Sequence, residues 1–231
     1  MRLLLLSNSR NPGGGWLDHA EAAIRGFFGP PSGRLIFFPF AAVTMSFDAY
    51  TSMARKRFAR MGYEIVGAHR IRMKEAGLAA GFVAGGGNTF RLLHEMQRRG
   101  WLRAVRRRVR AGVPYMGWSA GSNLACPTIR TTNDMPVIEP RSLNAMGLVP
   151  FQLNPHYTER ALSRHGGETR DQRIAEFRIL NPGVKVLGLR EGSLLVREGR
   201  DLLLMGTGAE LFSSRKKTPY KDGADLSFLL R

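Results

Sequence analysis

The sequence predicts an α/β fold with a mainly parallel central sheet and helices on both of its faces. Through the N-terminal half, short apolar runs alternate with amphipathic stretches, the pattern of repeated strand-helix units. Two strand-to-helix junctions are also glycine-rich, Gly85-Gly86-Gly87 and Gly117-Trp118-Ser119-Ala120-Gly121. At 231 residues, 43% hydrophobic and 23% charged, the chain has ordinary globular composition and fits one domain spanning residues 1–231.

Leu3 to Leu6 reads as a buried first strand, followed by a Gly13-Gly14-Gly15 loop and a helix over about Leu17 to Phe28. Arg34 to Phe40 supplies a second apolar run. Phe47, Tyr50, Ala54, Phe58 and Met61 then fall at three- and four-residue steps, so Ser46 to Met61 is an amphipathic helix with Ser46 as its N-cap. Tyr63 to Gly67 is a third strand. Leu78 to Ala84 is a fourth, breaking into the triple glycine and restarting as a helix that Asn88 caps. A helix over Trp101 to Arg110 follows, and then the strand that ends at Ser119. Ala145 to Leu153 reads as a strand ending in Asn154-Pro155-His156-Tyr157, and Gly166 to Asn181 contains a helix with Ile174, Phe177 and Leu180 on one side. Val184 to Leu189 leads into Arg190-Glu191-Gly192; Ser193 to Val196 and Asp201 to Met205 form a hairpin; Ser213 through Lys221 is a basic loop.

The charge is unusual: 35 Lys+Arg against 18 Asp+Glu leaves +17. Such a potential steers small anions, but the densest run, Arg103 to Arg110, carries apolar residues at helical spacing and belongs on the solvated side of a helix. That argues against a nucleic-acid partner. With Cys126 as the only cysteine no intrachain disulfide can form, and the apolar N-terminus turns polar too soon for a secretory segment. No stretch approaches the roughly 20 apolar residues of a membrane helix. A cytoplasmic protein without a membrane partner is the expectation.

Gly117-x-Ser119-x-Gly121 between a strand and a run of small residues is the pattern of a nucleophile elbow, in which a strained turn raises the serine hydroxyl above the sheet. Such a hydroxyl needs a base. Of the five histidines, His19, His69, His94 and His165 lie in or beside helical or exposed segments, whereas His156 follows a strand end and a stiffening proline. Two acids sit where loops converge, Asp134 and Glu191, and residue pattern alone leaves both open as the partner of the imidazole. The N–H groups of Ala120 and of Gly87 or Gly86 are the candidate oxyanion donors.

Gly85 to Phe90, Gly117 to Asn123, Cys126 to Pro136 and Asn154-Pro155-His156-Tyr157 together closely resemble the peptidase E family of α-aspartyl dipeptidases, over nearly the whole chain. The resemblance implies a three-layer αβα sandwich of the class I glutamine amidotransferase-like kind. It further implies hydrolysis of dipeptides with an N-terminal aspartate through a serine acyl-enzyme, without metal or cofactor. Carried over by position, the nucleophile is Ser119, the acid Asp134 and the base His156, with Glu191 as the rival acid. An acidic dipeptide calls for a cation, and Arg170 and Arg130 are the candidates, with Asn88 beside the glycine loop as a further substrate contact. A cyanophycinase-like peptidase on another acidic substrate and a non-catalytic anion binder are the alternatives. The high arginine content departs from the family pattern and leaves a monomer and a homodimer both open.

Overall fold

The computed structural model describes residues 1–159, 167–214 and 216–231. The strands are β1 (Arg2–Leu6), β2 (Leu35–Phe38), β3 (Ile65–Gly67), β4 (Gly81–Ala84), β5 (Tyr115–Trp118), β6 (Gln152–Tyr157), β7 (Val186–Arg190), β8 (Leu194–Glu198), β9 (Asp201–Met205), β10 (Ala209–Ser213) and β11 (Lys216–Tyr220). The helices are α1 (Glu21–Phe28), α2 (Phe47–Ala59), α3 (Thr89–Arg98), α4 (Trp101–Arg110), α5 (Ala120–Ala125) and α6 (Arg170–Leu180).

Seven strands form the larger sheet in the order β3-β2-β4-β5-β1-β8-β9. The first five run parallel and the β8–β9 hairpin closes one edge antiparallel. Their side chains are apolar on both faces because helices cover both: Leu3 and Leu5 enter one buried cluster, Leu4 and Leu6 the other. Local chemistry sets the helix starts. Ser46 Oγ accepts from Ala49 N–H at 3.1 Å, and Asn88 Oδ1 from Arg91 N–H at 3.0 Å. In α4, Trp101, Val105 and Val109 face inward, which leaves its arginines on the wet side.

The C-terminal half departs from expectation in three places. A second sheet of four strands, β11-β10-β7-β6, stands beside the first, and the anticipated basic loop contributes its outer strand, Lys216–Tyr220. Lysines and Pro219 are what an exposed sheet edge tolerates, so its composition imitates a loop. Ala145, Met146, Leu148, Val149 and Phe151 are buried, but the segment is not extended into a ladder; the N–H groups of Met146, Leu148 and Val149 bond to the Leu124 and Ala125 carbonyls at the end of α5. Apolar content there reflects packing against a helix terminus, and the strand begins only at Gln152. Finally, Leu180 is 83% exposed, because α6 ends there and buries only Ile174 fully. Part of the anticipated Gly166 to Asn181 segment, and His165, lie outside the described residues.

Candidate active site

β1, β4 and β5 end side by side, and in a parallel sheet such ends carry the reactive groups. The turn after β5 is strained: Ser119 has φ 52° and ψ −112°, a conformation that non-glycine residues rarely adopt. Its glycines are there for space. A Cβ on Gly117 would strike the backbone of Gly121, and one on Gly121 would strike the Ala84 carbonyl, so β4, β5 and α5 could not approach as they do.

His156 comes from the second sheet. It also has a positive φ, 54°, at an irregularity in the β6–β7 ladder between Asn154 and Tyr157. Ser7, just beyond β1, holds this distortion: Ser7 Oγ accepts from His156 N–H at 2.9 Å and donates to Leu189 O at 2.8 Å. The imidazole Nε2 lies 3.0 Å from Ser119 Oγ, and Nδ1 lies 2.7 Å from Glu191 Oε1. A carboxylate can only accept, so Nδ1 carries the proton and Nε2 is left free to accept from the serine hydroxyl. Glu191 is itself fixed through its backbone, with Thr207 Oγ1 donating to its carbonyl at 2.5 Å and Asn8 Oδ1 accepting from Gly192 N–H at 2.8 Å.

The acid facing His156 is therefore Glu191 and not Asp134. Asp134 Oδ2 accepts from Thr89 N–H at 2.7 Å and from Thr132 Oγ1 at 3.1 Å, which places its charge at the start of α3, where unpaired N–H groups favour an anion. The anticipated arginines lie beside it. Arg130, Arg170 and Arg173 line a recess of about 540 Å3 together with Asp134. Arg170 is half-buried, and its Nη1 donates to Asn133 Oδ1 at 2.6 Å; Asn133 in turn donates to Pro155 O at 2.8 Å, next to His156. Burial, and then the neighbouring Arg173, lower the Arg170 pKa from its ordinary value. Arg130 is exposed. Asn88 lines the Ser119 cavity, but its side chain is committed to capping α3 and to Met135 O, at 2.8 Å. Among the described residues, no three His, Cys, Asp or Glu side chains converge as a metal would require.

Gly86 and Gly87 border the same cavity as Ser119 and His156. Tyr50 Oη donates to Gly86 O at 3.0 Å. In a trans peptide the next N–H points the opposite way, so this bond turns Gly87 N–H away from Tyr50. Burial raises the Tyr50 pKa, which keeps the phenol a neutral donor. A Cβ on Gly87, at φ 128°, would meet the Ala41 carbonyl, so this position admits only glycine.

The sequence profile described as Peptidase family S51 matches residues 3–205. The chain belongs to this family. It is a peptidase, and proteins named Peptidase E resemble it along nearly its whole length. That of Nostoc sp. is 45% identical over 233 residues, covering 99% of this chain and 96% of the other. That of Shewanella amazonensis is 44% identical, covering 100% and 99%. A solved peptidase from an acI-B1 Actinobacterium, 16% identical and covering 98% of this chain and 96% of its own, superposes with a TM-score of 0.72 and shares the fold. No helix among the described residues of this S51 peptidase is long and apolar enough to cross a membrane.

The supporting residues Ser7, Asn8, Tyr50 and Asn133 were not singled out from the sequence. Ser7-Asn8 does carry a signal: two polar residues directly after four buried leucines, at the reactive end of a strand. Of the other histidines, His69 is bonded to Asp48 at 2.8 Å, and His19 is half-buried with neither ring nitrogen partnered; neither lines the Ser119 cavity.

Proposed function

We propose that the protein is a serine dipeptidase that cleaves dipeptides after an N-terminal aspartate, with Ser119 as nucleophile, His156 as general base and Glu191 as the group that orients and charge-balances the imidazole. The observation that carries this reading is the continuous relay from a strained, raised hydroxyl through both ring nitrogens to a carboxylate. Ser119 attacks the scissile carbonyl while Nε2 takes its proton. Gly87 and Ala120 N–H groups stabilise the oxyanion, His156 returns the proton to the leaving amine, and water then repeats the cycle on the ester.

Arg170 supplies the cation for the substrate's side-chain carboxylate. Its half-buried guanidinium sits one asparagine away from the Pro155 carbonyl, next to His156. The test is release of leucine from Asp-Leu, Glu-Leu, Asn-Leu and a longer acidic peptide, with and without chelator. Asp-Leu alone is expected to be turned over well, and Arg170→Met to raise its KM at least about tenfold. Equal rates on Asn-Leu would overturn the aspartate reading.

Tyr50 gives a further check on the oxyanion site. Tyr50→Phe removes one hydroxyl and frees the Gly86-Gly87 peptide to rotate. A loss of kcat of about tenfold is expected, part of what deleting a whole donor costs, with KM for Asp-Leu changed less. Steady-state kinetics of the purified variant measure it, and an unaltered kcat would mean the hydroxyl does not hold the donor.

A further inference from the structure

The cavity in front of Ser119 and the arginine-lined recess are different in kind. The cavity holds about 400 Å3, within the range of small-molecule sites, and its lining includes Trp16, Val43, Met45, Met53 and Trp118. In a chain with 35 Lys+Arg, its described lining contains no lysine, arginine or carboxylate; His156 is its one titratable base.

Its walls differ in packing. Trp16 is packed edge-on to Trp118, ring centroids 5.6 Å apart, and is clamped from behind by Arg57. That guanidinium is 8% exposed, donates to Trp16 O at 2.7 Å and to Leu17 O at 3.2 Å, and is itself held by Glu21 at 2.8 Å. The lining also carries Val43, Met45 and Met53, 48%, 41% and 43% exposed. Unbranched thioether chains at a site's mouth adapt to different apolar shapes.

Taken with the aspartyl dipeptidase reading, on which it rests, we infer that this cavity is the leaving-residue pocket and that it selects large apolar side chains, aliphatic or aromatic, at the C-terminal position of the dipeptide. A substrate carboxylate placed against these walls would lose water and gain no cation, so the aspartate side chain belongs in the arginine recess. The leaving residue then falls to the other side of the scissile bond, against Trp16 and the methionines, with its free carboxylate at the solvent-facing mouth.

The experiment compares kcat/KM for Asp-Leu, Asp-Met and Asp-Phe with that for Asp-Gly, Asp-Ser and Asp-Glu. The large apolar group should exceed the others by at least about tenfold, the scale at which a few buried methylenes discriminate. Met53→Glu, at a solvent-facing position of α2, should lower Asp-Leu at least about tenfold and abolish its advantage over Asp-Gly and Asp-Ser. Rates on Asp-Gly and Asp-Glu equal to that on Asp-Leu overturn the pocket assignment and leave the aspartyl reading standing. An enzyme that cleaves none of the six overturns both. A Met53→Glu protein that keeps the wild-type ranking likewise overturns the assignment.

Discussion

Replacing Ser119 with alanine is expected to reduce kcat on Asp-Leu by about 10^6-fold, the scale seen when a serine nucleophile is removed from such a relay. Folding should be preserved, because among the described residues the hydroxyl bonds His156 alone, and its Cβ is kept by alanine. The strained backbone is the point of attention. At φ 52° a side chain is held in a costly conformation for the sake of where its oxygen sits, and alanine inherits that cost without the use. Ser119→Gly, which adopts the same φ freely, should therefore be equally inactive and at least as stable by thermal unfolding. Substantial leucine release by either variant would remove Ser119 from the chemistry.

The second large effect separates two carboxylates. Glu191→Gln keeps the shape but lets an amide donate toward Nδ1, favouring the wrong tautomer, and should cost about 10^4-fold in kcat. Asp134→Asn removes a charge from the start of α3 and should cost about 0.5–1 kcal/mol of stability. Its kcat should stay at least about 100-fold above that of Glu191→Gln, since its oxygens bond Thr89 and Thr132 rather than the imidazole. Paired denaturation and steady-state measurements on the two variants decide it, and the opposite ranking in kcat would return the acid's role to Asp134.

That this choice needed coordinates has a physical reason. The elbow was legible because its constraint is local: a strand, a tight turn and a packed helix must follow one another within a few residues, and only glycine fits two residues before and two after Ser119. The parallel strands before it were legible for the same reason, each being its own apolar run, and those at β2 and β4 leading into helices capped by Ser46 and Asn88. Glu191 reaches His156 by another route. β6 and β7 pair across a long stretch of chain, and their register is broken between Asn154 and Tyr157, where His156 is turned round. No spacing in the sequence encodes that irregularity. The edge strand β11 was hidden in a different way, since the lysines and the proline that protect a sheet border are also the residues of a solvated loop.

The Ser7 hydroxyl has a consequence beyond its two bonds. Ser119 rides on one sheet, while His156 and Glu191 ride on the other, and Ser7 is a stitch between them, gripping both His156 and Leu189 from the end of β1. Reacting atoms tolerate displacements of only about 1 Å before rates fall by orders of magnitude. Turnover in this protein is thus a gauge of how firmly the two sheets are seated on each other, and the seam between them is where heat, solvent or mutation would first be felt as silence.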